Sequence, residues 1–277
     1  MISYRATLDV SRELARHLAW LLQLERRRRG TRAGTRALTC FWQAVLGLRW
    51  LRNRTDPATL GRDHRVSRAT AYRYLDEVIT VLADQAPDVH QALQYAHEQD
   101  MAYVILDGTV ISSDRLSEKA TSVQGKTIDR WYSGKAGEHG GNIQALSTPN
   151  GFPLWVSEVE PGNVHDLTAA HEHALPTLYA AAAHGMPTLA DGGYDGTGIG
   201  VHTPIKQPAS NQVLDADNRT YNALLRGMRS LGERGFALLA GRWRTLGHIT
   251  ASPRKIGPII QAALTLTHLE HRTTSSR

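Results

Sequence analysis

Two short stretches of this chain repeat one pattern. Ala102–Thr109 reads Ala-Tyr-Val-Ile-Leu-Asp-Gly-Thr, and Met186–Gly193 reads Met-Pro-Thr-Leu-Ala-Asp-Gly-Gly. Each is a short apolar run, the pattern of a strand buried on both faces, and each delivers an acid and then glycine. A single Asp-Gly of this kind is an ordinary turn. The repetition is what constrains the fold, because the chain must bury two such strands and end both in a carboxylate. Gly108 lets the chain leave the sheet at once after Asp107. A carboxylate fixed at the mouth of a buried strand, with a loop opening beside it, is placed to hold a metal ion.

The chain has 277 residues, enough for one large domain or for a small one joined to a medium one. Cys40 is the only cysteine, which excludes an intramolecular disulfide framework and a thiolate metal site, and it suits a reducing cytoplasm. No apolar run approaches the ~20 residues that span a bilayer, and the N-terminus has no secretory pattern, so no membrane partner is expected.

Charge is divided unevenly. Residues 1–75 carry 16 Arg against five acids, a net +11, whereas residues 76–277 carry 16 Lys plus Arg against 21 acids, a net −5. The planar guanidinium pairs well with phosphate, so a basic head on an acidic body suggests a DNA-binding module joined to a catalytic one. A solvated Arg-rich surface is the plainer alternative.

The head reads as helices. Leu14, Leu18, Leu21 and Leu22 recur at helical spacing within Val10–Arg29, and a second amphipathic helix is expected to be capped near Thr35. Asp56-Pro57 starts a short third helix, and Ser67 caps a fourth with Ala71, Leu75, Val78 and Leu82 on its buried face. Two helices joined by a tight turn at His64-Arg65 make a helix-turn-helix arrangement. It leaves Arg68, Thr70 and Arg73 off the buried stripe, near the end of the helix that enters the major groove. Asp88–Gln99 reads as a further helix, and a domain boundary is expected near residue 100.

In the body, Arg115–Lys135 lacks periodicity and reads as a loop. Gly141–Ser147 and Phe152–Val159 flank an Asn-Gly turn and are expected to pair antiparallel. Asp166 begins a helix running to about Leu178, and Val201–Ile205 is a further short strand. His165 and Asp166 either support the site or cap that helix. Asn218–Leu246 reads as one long helix, on which Arg226, Arg229, Glu233 and Ala237 share a face. Alone, Arg229 and Glu233 are a surface ion pair. If Glu233 instead faces Asp107 and Asp191, three carboxylates meet, and cations are needed among them. Two divalent ions held by shared carboxylates are the standard arrangement for phosphodiester chemistry, and oxygen-only ligands favour Mg²⁺ or Mn²⁺.

An ordered series of motifs then carries a resemblance. Asp107-Gly-Thr is followed by Tyr132-Ser-Gly-Lys135, His139-Gly140 with Asn142-Ile-Gln144, and Pro161-Gly162 with Val164-His-Asp-Leu167. Next come Leu189-Ala-Asp191 with Gly193-Tyr194 and Gly196, Thr203-Pro204 with Lys206, and finally Arg229 with Glu233-Arg234 and Trp243-Arg244. Over roughly residues 45–250 the chain resembles a bacterial insertion-sequence transposase of the DDE superfamily, in the insertion sequence five-like group. The resemblance implies an α/β fold, with an RNase H-like mixed-sheet catalytic domain preceded by an all-α helix-turn-helix domain. The division expected is 1–100 for the DNA-binding head, 101–250 for the catalytic domain and 251–277 for a C-terminal helix and tail.

Carried over by position, the resemblance makes Asp107, Asp191 and Glu233 the catalytic, metal-holding triad for two Mg²⁺ or Mn²⁺ ions. Lys135, Lys206 and Arg229 join Arg68, Thr70 and Arg73 as DNA contacts, and His165 and Asp166 are secondary. In the related signature a Tyr precedes the Arg and a Lys follows the Glu; here Arg226 and Ala240 hold those places, and Arg242 or Arg244 is left to supply the cation. Gly192 stands where a Lys would follow Asp191. The implied reaction is metal-assisted hydrolysis at transposon ends, then attack of the freed 3′-hydroxyl on target DNA. The implied partners are the terminal inverted repeats, target DNA and further copies of the chain on DNA, in the bacterial cytoplasm and on the nucleoid when bound. An RNase H-like nuclease or resolvase, and a catalytically dead DNA-binding regulator, are the alternatives.

Overall fold

The computed structural model describes residues 8–121, 125–208 and 213–275, without the side chains of Glu233 and of 273–275. It packs into two compact units. One holds residues up to Ala86 together with Ala240–Gly247 and the chain from Pro258 onward; the other holds Pro87–Leu239 and His248–Gly257. These units cut the chain differently from the division at residues 100 and 250, because packing sorts helices by the apolar face they cover and not by their order.

The first unit is built on four helices, α1 (Arg12–Arg28), α2 (Cys40–Asn53), α3 (Pro57–Asp63) and α4 (Arg68–Ala83). Each begins at a side-chain cap that takes up an otherwise unpaired backbone N–H: Ser11 on Leu14, Thr39 on Trp42, Asp56 on Ala58 and Thr59, and Ser67 on Thr70. The second cap is Thr39 and not Thr35. Gly30 and Gly34 both adopt positive φ, so the intervening stretch cannot be helical, and Leu38 N–H donates to the buried Tyr74 hydroxyl. Leu18 and Leu22 of α1, Leu48 and Leu51 of α2, and Ala71, Val78 and Leu82 of α4 form the core. Gly47 is needed there, because a Cβ on it would lie 2.6 Å from Val78.

The C-terminal helix Ile256–Ser275 completes this unit with Ala262–Leu266 buried. The Thr265 hydroxyl donates to Leu82 O at 3.0 Å and Trp243 Nε1 donates to the Thr267 hydroxyl at 2.9 Å. Arg242 is held by Glu270 at 2.6 Å and Asp9 at 2.8 Å. One acid is buried among these helices. Glu77 is 6% exposed, accepts from Gln43 at 2.8 Å and pairs with Arg36 at 3.2 Å. Glu77→Leu should therefore lower the free energy of unfolding by about 1–3 kcal/mol, since Gln43 keeps only its longer bond to Tyr74 O at 3.4 Å and Arg36 loses its carboxylate partner. Urea unfolding checks this, and an unchanged midpoint would count against it.

The second unit starts with α5 (Val89–Glu98), closed by a capping box between Asp88 and Gln91. Its strands are β1 (Val104–Ser112), β2 (Lys119–Thr121), β3 (Thr127–Asp129), β4 (Tyr132–Ser133), β5 (Glu138–Ser147), β6 (Pro153–Val156), β7 (Glu160–Pro161), β8 (Thr188–Leu189) and β9 (Val201–His202). The main sheet is mixed. β1 is central, with β5 antiparallel on one side and β8, then β9, parallel on the other; β6, β7 and β4 line the far edge of β5. Asn150-Gly151 makes the expected antiparallel turn, with Gly151 at φ 83°. β2 and β3 form a separate antiparallel pair within the stretch expected to be loop.

Helices α6 (Asp166–His173) and α7 (Leu175–Ala183) replace the single helix expected after Asp166. The break falls at Ala174, just before Pro176, which cannot donate a helical hydrogen bond. Val104 and Leu106 pack on one face of the sheet in a core with Ala92, Ala96, Ala170, Leu175 and Leu178. The long helix expected over Asn218–Leu246 is also interrupted, into α8 (Ala216–Arg229) and α9 (Glu233–Arg242). Gly232 lies so close to the sheet that a Cβ on it would be 2.5 Å from Ile105, and the chain turns at Ser230–Gly232 to make that approach. Arg229 and Glu233 consequently lie on two helices, and the shared helical face expected for Arg226, Arg229, Glu233 and Ala237 does not form.

Candidate active site

Asp107 is the fourth residue of a nine-residue strand, paired with Ala145, and the chain does not leave the sheet at Gly108 as expected. The strand that ends is its neighbour. β8 stops at Leu189, so β1 loses its partner on that side just before Asp107. The register pairs Ile105 with Leu189, and Asp107 and Asp191 each come two residues later, the second still in extended backbone. Side chains alternate along a strand, so both carboxylates leave on the same face at one end of the sheet. That is also the face of Ile105, against which Gly232 packs immediately before Glu233. The Glu233 side chain lies outside the described residues. Among those residues no three His, Cys, Asp or Glu side chains form a ready metal cage.

Gly108, inside β1, is a strand glycine made necessary by close approach. A Cβ on Gly108 would lie 2.6 Å from Asp166 Oδ1, 2.7 Å from Gln144 Nε2 and 2.8 Å from the Tyr194 hydroxyl. These groups form a relay. The Tyr194 hydroxyl donates to Gln144 Oε1 at 2.6 Å, Gln144 Nε2 donates to Asn142 Oδ1 at 2.9 Å, and Asn142 Nδ2 donates to Asp166 Oδ1 at 2.8 Å. Lys135 Nζ then closes on Asp166 Oδ2 at 2.8 Å. Tyr194 and Gln144 are fully buried and Asn142 is 2% exposed, so each group depends on its neighbour for hydrogen bonding. Asn142 and Gln144 were legible as polar residues at alternate positions of an apolar strand, and Tyr194 as part of a motif, but no role followed from either.

His165 is the N-cap residue of α6, yet its exposed side chain makes no capping bond. Asp166, in the first turn, spends its carboxylate on Asn142 and Lys135 and not on the helix end. The bond to Asp166, with the nearby charges of Asp191 and Asp107, favours the protonated Lys135 ammonium and raises its pKa. Burial first, and then the same three acids, pushes the Tyr194 hydroxyl well above its ordinary range, so it stays a neutral donor. A cleft of about 810 Å³ opens beside this relay, lined by Gly108–Val110, Tyr132–Ala136 and Asn163–Asp166 among others.

The expected DNA contacts fall in several places. Arg68 lies 5.6 Å over the Tyr72 ring, and Arg73 donates to the Thr70 hydroxyl at 3.1 Å; both arginines and Tyr72 are exposed. Thr70 is tied to Ser67 at 2.9 Å and is half-buried. Lys206 is exposed and paired with Asp195 at 2.6 Å. Arg229 is half-buried at the end of α8. Arg242, one candidate for the cation after Glu233, is already engaged by Glu270 and Asp9.

Fold and site together define a mixed α/β protein that carries two aspartates side by side at the end of a central parallel strand pair. A family model described as DDE superfamily endonuclease matches residues 106–268, and the chain belongs to that family. Among solved structures it is similar to the Mos1 transposase paired-end complex with left transposon end, at 12% identity and a TM-score of 0.21, over 84% of this chain and 86% of that one. It is also similar to a pre-cleavage Mos1 transpososome, at 10% identity and a TM-score of 0.20, over 92% of this chain and 85% of that one. A comparison with curated proteins gives no match. Among the described residues no helix is long and apolar enough to cross a membrane.

Proposed function

We propose that the chain is a DDE transposase of the insertion sequence five-like group, which binds transposon ends and carries out metal-dependent DNA cleavage and strand transfer. The observation that carries this reading is the register that sets Asp107 and Asp191 on one sheet face, the face on which Gly232 packs just before Glu233. The strand order, with β5 antiparallel and β8 and β9 parallel to β1, supports an RNase H-like catalytic fold. The donor set fits Mg²⁺ or Mn²⁺, because carboxylate oxygens are hard ligands and no thiolate is near. Asp107, Asp191 and Glu233 would hold two such ions. When bound, the ions supply activation of the attacking oxygen and stabilisation of the leaving one. The relay from Tyr194 to Asp166 fixes the sheet end beside them.

In this reading α3 and α4 are a helix-turn-helix, and the first unit is the DNA-binding head of a protein that assembles as several copies on its ends. Gly61 supports the tight turn, since a Cβ on it would lie 2.9 Å from Val66 O, and Arg65 turns the chain at φ 55°. Binding by this head should fall steeply with salt, because the +11 of residues 1–75 acts on phosphates. Arg68→Ala or Arg73→Ala should cost about 1–3 kcal/mol on a terminal-repeat duplex and much less on a scrambled one. Equal losses on both duplexes would assign these arginines to the backbone alone.

The test of function is a cleavage and strand-transfer assay with Mg²⁺ on a duplex carrying the inverted repeats that flank the gene. Cleavage at the repeat ends followed by joining supports transposition. Cleavage without regard to the repeats would mean a nuclease, and binding without cleavage a regulator.

A further inference from the structure

Lys135 and Asp166 are held very differently. Asp166 is fixed from behind, because Asn142 grips its Oδ1, Gln144 grips Asn142, the Gln144 side chain accepts from Tyr194, and the Gln144 backbone N–H donates to the Ser157 hydroxyl at 2.9 Å. Lys135 stands on the turn between β4 and β5, flanked by Gly134 and by Gly137 at φ 72°, and its side chain is 74% exposed. The donor can swing away while the acceptor cannot. An ion pair of this exposure is weak and easily exchanged.

The rigid acceptor also lies close to a candidate metal ligand. The Cβ position on Gly193 is 2.9 Å from Asp191 Oδ1 and 3.8 Å from Asp166 Oδ2, the oxygen that Lys135 holds. An ammonium bonded at that oxygen sits where it repels a divalent ion arriving at Asp191.

We propose that Lys135 is an internal counter-ion of the acidic site, resting on Asp166 in the metal-free protein and displaced when a divalent cation enters beside it. This rests on the reading of Asp107 and Asp191 as metal ligands. It gives Lys135 a second task beside any contact with DNA: it balances the carboxylates until metal arrives, and once released it is free for a phosphate. Coupling is reciprocal, so removing the ammonium must tighten metal binding as surely as metal binding loosens the ammonium.

The experiment is isothermal titration of MnCl₂ into the full chain without DNA, comparing the natural sequence with Lys135→Gln, Lys135→Met and Asp191→Asn. Lys135 is exposed, so both replacements should fold, and thermal unfolding without metal verifies it. The expected result is about fivefold or more tighter Mn²⁺ binding in both Lys135 variants, and loss of that binding in Asp191→Asn. Unchanged or weaker binding in the Lys135 variants, with Asp191→Asn still defective, would overturn the counter-ion role and leave the metal reading intact. Equal binding by the natural chain and Asp191→Asn would overturn the metal reading and the counter-ion role together.

Discussion

Asp107→Asn should abolish DNA cleavage, by at least roughly 10³-fold, while terminal-repeat binding stays within about twofold. The substitution keeps the shape of the side chain and removes its charge, and that charge is half of the strand-borne pair set by the register of β1 on β8. Binding should survive because Arg68 and Arg73 belong to the other packing unit. Gel shifts and a cleavage assay on the same duplex check both halves. If Asp107→Asn loses binding as badly as cleavage, the separation of recognition from chemistry is wrong.

Gly108→Ala should be nearly as damaging through a different route. One added methyl group must displace Asp166, Gln144 or Tyr194, each within 2.8 Å of its position. Three tightly bonded polar groups have nowhere to go without breaking the relay, so the cost is about 1–3 kcal/mol of stability from overpacking, plus the penalty of an unsatisfied buried partner. Urea unfolding reads the first part. Cleavage should fall further than stability alone explains, because the strand carrying Asp107 has to shift. A variant with natural stability and natural cleavage would show that the relay tolerates the intrusion.

Much of this is legible in the sequence. Caps declare themselves chemically, and Asp56-Pro57, Ser67 and Asp88 each start a helix where the sequence places one. The two apolar runs ending in Asp107 and Asp191 form parallel neighbours, and the turn at Asn150-Gly151 forms as read. What escaped depends on partners far away in sequence. Gly108 and Gly232 look like a turn and a helix interior, yet both are glycines because another chain segment touches them. The long helix fails at Ser230–Gly232 for the same reason. Asn142 and Gln144 showed polarity inside an apolar strand, but their partners Asp166 and Tyr194 could be found only in three dimensions. The β2–β3 pair carries too few apolar residues to stand out from loop.

The last helix has a consequence for how the protein is made. The first unit of packing owns both the beginning of the chain and the stretch from Pro258 onward, and Thr265, Thr267 and Glu270 bond to partners inside it. A ribosome makes the segment around residue 260 long after the first 86 residues, so the arginine-bearing first unit stays without this helix while the body between them is synthesised. Products of premature termination or a late frameshift would then carry a body and most of the arginines but an unfinished core.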